Sequence, residues 1–253
     1  MLDMSTLIKD GITESAEIFS FLLIGQSNMA GRGELSDVPP IKNAACYMLR
    51  MGRWQRLAEP VNPDRDIFSG TYHSGIGPQA SFADAMARTY GVRIGIIPCA
   101  DGGTSLDEWQ EGSVLYDHAV MMARLAARSS RLAGILWHQG ESDCRHGGVP
   151  AYFEKFTAMI SALRRDLGDP SLPLLVGELS EHYAPRFQMG EEPHRLNAVL
   201  AALANSLPRT ALVPAADLPL KPDGLHFNAA AQRELGLRYA AGYHQLVGKL
   251  PSF

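Results

Sequence analysis

The chain has 253 residues, a formal net charge of −4 and 46% hydrophobic residues. Acidic and basic residues are interspersed and no basic patch with aromatic residues stands out, so the composition argues against nucleic acid as a partner. The three cysteines, Cys46, Cys99 and Cys144, are too few and too widely spaced for a disulfide framework or a CxxC metal pair.

No linker divides the chain, so we expect one domain over 1–253, with 1–17 as an N-terminal extension. This extension carries several charges and lacks the apolar core of a signal peptide. Nor does any apolar run approach the length of a membrane span. We therefore expect a cytoplasmic protein with no membrane partner, or a secreted or periplasmic protein if an export signal was removed. The oligomeric state stays open.

Short apolar runs alternate with amphipathic segments, which is typical of a parallel sheet with helices on both faces. The apolar runs predict strands at 18–24, 45–49, 93–98, 132–137, 174–177 and 211–214. The amphipathic segments predict helices at 78–90, 114–129, 151–167, 194–206 and 228–247, the last with Asn228 as its N-cap. The loops 59–79 and 180–193 are long enough to be walls of a substrate cleft.

The first predicted strand runs directly into Gly25-Gln26-Ser27-Asn28-Met29. Ligands of open α/β sheets bind beyond the carboxyl ends of strands, so Ser27 is a candidate nucleophile. Ser, Asn and Gly are also common in a turn whose serine caps the next segment. The motif alone leaves the two interpretations about level.

A second segment, Asp223-Gly224-Leu225-His226, lies just before the last predicted helix. A serine hydroxyl is a poor nucleophile until a neighbouring base takes its proton. That base is usually a histidine that a carboxylate orients, and this short segment supplies both groups. The alternative for Asp223 is structural, since Pro-Asp-Gly is a turn signature.

Paired glycines, Gly102 and Gly103, follow the strand predicted at 93–98. Their backbone N–H groups could stabilise an oxyanion, although the glycines could equally serve only the geometry of the turn. Ser105 and Glu108 fit a capping box, which favours a structural over a catalytic role for Thr104 and Ser105.

The fourth segment begins at the end of the strand predicted at 132–137, where the Gln139 side-chain amide could donate to an oxyanion. This segment also contains five residues of metal-ligand type: His138, Glu141, Asp143, Cys144 and His146. Their spacing matches no metal motif with a mechanism behind it, so we expect neither a metal nor another cofactor.

Four blocks together carry a family resemblance: Gly-Gln-Ser-Asn-Met, Gly-Gly-Thr-Ser, Trp-His-Gln-Gly-Glu-Ser-Asp and Asp-Gly-Leu-His-Phe. In this order they resemble the signature blocks of SGNH (GDSL-like) hydrolases. The branch they resemble contains sialate O-acetylesterases and acetylesterases of carbohydrate esterase family 6. The resemblance implies a flavodoxin-like three-layer α/β/α sandwich, with a mainly parallel central sheet of about five strands.

The resemblance also implies roles for individual residues. Ser27 matches the nucleophile, His226 the base and Asp223 the acid that orients the base. In some members the glutamate of the Gln-Gly-Glu block supports the histidine, so Glu141 is an alternative or supporting acid.

The oxyanion donors of the family correspond to the Ser27 N–H, the N–H of Gly103 (less surely Gly102) and the Gln139 amide. The expected function is a serine esterase that removes acetyl or other small acyl groups from carbohydrates through an acyl-enzyme. The alternatives are a non-catalytic carbohydrate-binding protein on the same fold and an esterase for small esters that are not sugars.

Overall fold

The computed structural model describes residues 17–64 and 73–250. Within these ranges seven strands form one sheet: β1 (Ile18–Gly25), β2 (Cys46–Arg50), β3 (Arg53–Arg56), β4 (Arg93–Pro98), β5 (Arg131–His138), β6 (Leu174–Gly177) and β7 (Thr210–Val213). Their order in the sheet is β3-β2-β4-β1-β5-β6-β7. Neighbouring strands are parallel except β2 and β3, which pair antiparallel.

The six predicted strands are confirmed to within one residue at each end, but the expected total of about five strands was too low. The strand without a prediction is β3, a polar and largely exposed edge strand. Only Met51 and Gly52 separate it from β2, both with a positive φ, as a tight hairpin turn requires. A methionine in the left-handed region gives no turn signal in the sequence, and polar β3 lacks the alternation that indicates a half-buried strand.

Seven α-helices accompany the described strands: α1 (Ser27–Ala30), α2 (Gln79–Tyr90), α3 (Val114–Ala126), α4 (Glu141–His146), α5 (Val149–Asp166), α6 (Glu192–Ser206) and α7 (Ala229–Val247). All five predicted helices are present, with ends that differ by up to three residues. The two short helices, α1 and α4, had no prediction because they are too short to show a helical period.

The central strand β1 is apolar at every position from Phe21 to Ile24 because both of its faces are covered. Leu22 and Ile24 point into a core formed with α3, α5 and α6, whereas Phe21 and Leu23 point into a second core formed with α2 and α7. Successive residues of a strand face opposite sides, so a strand covered on both faces is apolar at every position. The predicted three-layer α/β/α architecture is confirmed.

Other sequence expectations concern the ends of the chain and its loops. Residues 1–16 of the predicted extension and residues 65–72 of the predicted loop 59–79 lie outside the described residues. Of the helices within the described ranges, none combines the length and the apolar character that crossing a membrane requires.

Candidate active site

Ser27 lies directly beyond the carboxyl end of β1, between the neighbouring strands β4 and β5. Gly25 makes this position possible: its φ is +130°, and a Cβ there would lie 2.1 Å from the His138 carbonyl oxygen. The Gln26 backbone N–H donates to that oxygen at 2.9 Å, which fixes the turn. Ser27 then begins α1 with only 5% of its surface exposed. The sheet therefore holds the serine side chain in a defined position.

The loop before α7 brings a histidine and a carboxylate to this serine. Ser27 Oγ lies 3.1 Å from His226 Nε2, and His226 Nδ1 lies 2.9 Å from Asp223 Oδ2. Asn228 caps α7, accepting the Ala231 N–H at 2.8 Å, as the sequence predicted. With the imidazole proton on Nδ1 and donated to Asp223, Nε2 is free to accept the serine hydroxyl.

Asp223 forms the turn with one oxygen and contacts the His226 ring with the other, so a turn-forming role and a role as the orienting acid are compatible. Its Oδ1 accepts the backbone N–H groups of Leu225 and His226, each at 2.9 Å, and this forms the turn. Burial would raise the pKa of Asp223, but these bonds and the bond to the His226 ring outweigh it and hold that pKa below its ordinary value. The carboxylate is therefore ionised at neutral pH and can hold the ring in one tautomer.

Burial of the His226 ring lowers its pKa below the ordinary value of 6.5, and this effect outweighs the opposing influence of Asp223. A histidine that accepts a proton from serine must be neutral. We therefore expect kcat/KM for an aryl acetate to fall as pH decreases through the pKa of His226, with one protonation and a midpoint below 6.5. A pH–rate profile measures this, and His194→Gln, which removes an exposed histidine, should leave it unchanged. A midpoint above 6.5 would contradict this interpretation of the site.

Asn28, to which the sequence analysis gave no role, ties the serine turn to the histidine loop. Its Oδ1 accepts the Phe227 N–H at 3.0 Å, and its Nδ2 donates to the Leu225 carbonyl at 3.4 Å. These two bonds lie on either side of His226. The only signal in the sequence was that Asn28 is adjacent to Ser27.

Glu141, the alternative acid, is hydrogen-bonded to Asn28 rather than to His226. Its Oε1 accepts the Asn28 Nδ2 hydrogen at 2.6 Å, and no hydrogen bond joins it to His226 in the described structure. Only 2% of its surface is exposed, and burial raises its pKa above the ordinary value. A carboxyl with a raised pKa is a poor partner for an imidazolium, so this geometry supports Asp223 as the acid and Glu141 as a brace for Asn28.

The glycine turn after β4 presents a backbone donor to the same cavity. Gly103 has a φ of +78°, and within the described residues no atom accepts a hydrogen bond from its N–H or from that of Ser27. The predicted capping box is confirmed: the Glu108 carboxylate accepts the Ser105 N–H at 2.7 Å, at the start of a 3₁₀ turn. This box fixes the turn that positions the glycine.

The Gln139 side chain lies in the protein interior, with no exposed surface. Its Nε2 donates to Asp143 Oδ2 at 2.6 Å and to the Thr104 carbonyl at 2.9 Å. Its Oε1 accepts the Tyr152 hydroxyl at 2.9 Å. To reach an oxyanion the amide would have to leave these partners, so its role as an oxyanion donor stays a prediction.

The metal-ligand types of the fourth segment are separated by the local structure. His138 is the last residue of β5 and is fully buried, and burial lowers its pKa to about 3. Cys144 and His146 lie on α4, and burial raises the pKa of the Cys144 thiol. Within the ranges 17–64 and 73–250, no group of three or more His, Cys, Asp or Glu side chains is arranged to hold a metal ion.

Two cavities lie at the site, and Ser27 lines the smaller of them. The smaller, of about 190 Å³, is lined by residues that include Gln26, Ser27, Gly102, Gly103, Arg145 and Leu225. The larger, of about 650 Å³, is lined by residues that include Ser74, Gly75, Lys221 and Asp223. Arg32 and His226 border both.

The two long loops predicted as cleft walls lie on either side of Asp223. Ser74 and Gly75, which line the larger cavity, belong to the described end of the loop predicted at 59–79. The loop at 180–193 packs on the turn of the histidine loop, where the Ala184 N–H donates to the Gly224 carbonyl at 2.9 Å. It lines a separate cavity of about 580 Å³.

Comparison with known proteins identifies what this chain is similar to. Residues 17–245 match the family model described as carbohydrate esterase, sialic acid-specific acetylesterase. A probable carbohydrate esterase of Arabidopsis thaliana is 33% identical over an alignment of 243 residues that covers 88% of this chain and 89% of that protein.

Solved structures agree with this match. An X-ray structure from Arabidopsis thaliana is 30% identical and superposes with a TM-score of 0.79, covering 90% of this chain and 98% of that one. The crystal structure of NanS, 17% identical, shares the fold with a TM-score of 0.72 and covers 92% of this chain and 98% of its own. These similarities confirm the expected SGNH-type fold.

The parallel sheet, the site beyond the end of β1 and these similarities together define a carboxylic ester hydrolase. The chain belongs to the carbohydrate esterase, sialic acid-specific acetylesterase family. The resemblance that the four sequence blocks suggested is thereby confirmed.

Proposed function

We propose that this protein is a serine esterase that removes acetyl and other small acyl groups from carbohydrate hydroxyls through an acyl-enzyme. The observation that carries the proposal is the hydrogen-bonded row of three side chains. Ser27 Oγ lies 3.1 Å from His226 Nε2, and His226 Nδ1 lies 2.9 Å from Asp223 Oδ2. A nucleophile, its base and an orienting acid in hydrogen-bond contact are what activates a serine.

In the first half-reaction His226 Nε2 takes the hydroxyl proton while Ser27 Oγ attacks the ester carbonyl carbon. The carbonyl oxygen becomes an oxyanion beside the free N–H groups of Ser27 and Gly103. When the tetrahedral intermediate collapses, the bond to the sugar oxygen breaks and His226 gives its proton to that oxygen. The acyl group is then an ester of Ser27, and the sugar leaves as an alcohol.

In the second half-reaction water replaces the sugar. His226 takes one proton of the water, and the resulting oxygen nucleophile attacks the acyl carbon. Collapse of this intermediate breaks the bond to Ser27 Oγ, which regains its proton from His226, and the carboxylic acid is released. Asp223 stays ionised throughout and stabilises the imidazolium that forms in each half.

The two cavities support a small acyl group and a larger alcohol. The leaving oxygen must be within reach of His226, which borders the larger cavity of about 650 Å³. The acyl group then lies in the smaller cavity of about 190 Å³ beside Gly103 and Leu225. We therefore assign the sugar to the larger cavity and a small acyl group to the smaller one.

The family and the Arabidopsis relative support a carbohydrate as the alcohol. We expect the purified protein to release acetate from acetylated sugars, and a fluorophosphonate that modifies the active serine to abolish the release. Acetate release from acetylated monosaccharides, xylo-oligosaccharides and O-acetyl sialic acids, with treated and untreated enzyme, is the measurement.

Two other outcomes would change the conclusion. Hydrolysis of p-nitrophenyl acetate without release from any sugar would favour an esterase for small esters that are not sugars. Sugar binding without hydrolysis, and without labelling by the fluorophosphonate, would favour a carbohydrate-binding protein on the same fold.

A further inference from the structure

Gln26, the residue before the nucleophile, has a side chain that is 3% exposed and lines the smaller cavity. Its Oε1 lies in a cluster of donors at the start of α4. The backbone N–H groups of Gly140 and Ser142 approach it at 3.3 and 3.4 Å, and Gln139 Nε2 approaches it at 3.2 Å. The two backbone N–H groups can only donate, so the Gln26 atom that they approach is the carboxamide oxygen.

The other end of the Gln26 carboxamide is therefore its NH₂ group. Within the described residues no protein atom accepts a hydrogen bond from Gln26 Nε2, although the side chain lies against the cavity that contains Ser27. Nε2 is not among the fully buried, unpaired side-chain atoms of the described residues, so it keeps accessible surface and is available to a group bound in the cavity. The unpaired N–H groups of Ser27 and Gly103 border the same cavity.

The Gln139 carboxamide differs from that of Gln26 because both its NH₂ group and its oxygen have protein partners. Its Nε2 has three acceptors within hydrogen-bond distance, Asp143 Oδ2, the Thr104 carbonyl and Gln26 Oε1, so its two hydrogens are shared among them. Its oxygen accepts from Tyr152, and Gln139 is not among the residues that line the cavity. What Gln139 does reach is Gln26 Oε1. Its position suits a residue that orients another amide.

We propose that Gln26 Nε2 is the side-chain donor of the oxyanion hole, with the N–H groups of Ser27 and Gly103 as the backbone donors. Gln139 is then a positioning residue that, together with the first turn of α4, holds Gln26 through its oxygen. This inference rests on the proposed esterase function and adds the group that stabilises the negative charge on the carbonyl oxygen. Donors arranged in advance around that charge lower the barrier because they need no reorganisation during the reaction.

The substitution Gln26→Glu tests the donor alone. It keeps an oxygen for the donors of Gly140 and Ser142 and replaces only the NH₂ group with an oxygen. We expect kcat for p-nitrophenyl acetate to fall on the order of 10²–10³-fold, with KM changed by less than about threefold, as for loss of one oxyanion donor. Gln26→Met, which removes the donor without adding a charge, should show the same pattern, and circular dichroism melting establishes that each variant is folded.

Gln139→Met is the matched comparison. Substitution of a positioning residue should lower kcat less than substitution of the donor that it orients. We therefore expect a smaller loss of kcat than for Gln26→Glu, accompanied by a lower melting temperature. A folded Gln139→Met protein that loses more kcat than folded Gln26→Glu and Gln26→Met proteins would overturn the assignment.

The wild-type protein offers a direct readout that does not depend on the folding of any variant. In a crystal structure of its Ser27 phosphonate adduct, the phosphoryl oxygen should lie within hydrogen-bond distance of Gln26 Nε2. Contact of that oxygen with Gln139 Nε2 instead, or unchanged kcat in folded Gln26→Glu and Gln26→Met, would overturn the inference but leave the esterase proposal intact. Equal hydrolysis by wild type and Ser27→Ala would overturn both.

Discussion

Ser27→Ala should lose esterase activity on the order of 10⁴-fold or more, because no other group can form the acyl-enzyme in its place. The backbone donors of the cavity and the substrate contacts remain, so KM should change little. Hydrolysis of p-nitrophenyl acetate by the purified variant, with wild type measured in parallel, gives the ratio. The substitution removes only the hydroxyl oxygen, whose hydrogen bond is to His226 Nε2, so the variant should fold.

The matched control is Ser142→Ala, because Ser142 is a second serine that lines the same cavity. Its known contact is a backbone N–H bond to Gln26, which the substitution keeps. We expect Ser142→Ala to stay within about tenfold of wild type, since no hydrogen bond joins the Ser142 hydroxyl to Ser27, His226 or Asp223 in the described structure. Mass spectrometry after fluorophosphonate treatment should find the label on Ser27. Label on Ser142, or full activity of Ser27→Ala, would refute the nucleophile assignment.

Much of the fold could be predicted because the sheet is covered on both faces. The run from Phe21 to Ile24 is apolar at every position, and this feature marks a buried parallel strand in the sequence itself. The edge hairpin of β2 and β3 could not be predicted in the same way. Its second strand buries little, and its turn relies on Met51, a residue type with no preference for a positive φ.

The residues of the candidate site also divide into those that the sequence could identify and those whose contacts only the structure shows. Ser27, Asp223 and His226 could be selected from the sequence because their chemistry needs these residue types at the ends of strands and helices. The orientation of an amide is different, since it depends on contacts between distant segments. Gln26 and Gln139 are 113 residues apart, and only the structure shows which of them has a free NH₂ group. The same is true of the bond from Asn28 to Glu141, which also spans 113 residues.

The choice between the two acids predicts a large difference between two conservative substitutions. In Asp223→Asn, Oδ1 can still accept the N–H groups of Leu225 and His226, so the turn should survive. Oδ2 is replaced by an NH₂ donor that faces His226 Nδ1, and this donor favours the tautomer of His226 with the proton on Nε2. That tautomer cannot accept the Ser27 proton, so we expect kcat to fall on the order of 10⁴-fold, as loss of the orienting carboxylate does in a serine triad.

Glu141→Gln should behave quite differently. Burial raises the pKa of Glu141, so a neutral amide is a close substitute, and its oxygen can still accept from Asn28. We expect activity within about tenfold of wild type, whereas Glu141→Ala, which leaves the Asn28 amide without its acceptor, should lower the free energy of unfolding by about 1–3 kcal/mol. Steady-state kinetics and urea unfolding of the three variants separate the roles. If Glu141→Gln were slower than Asp223→Asn, then Glu141 would be the acid that supports His226, and Asp223 would serve only to form the turn.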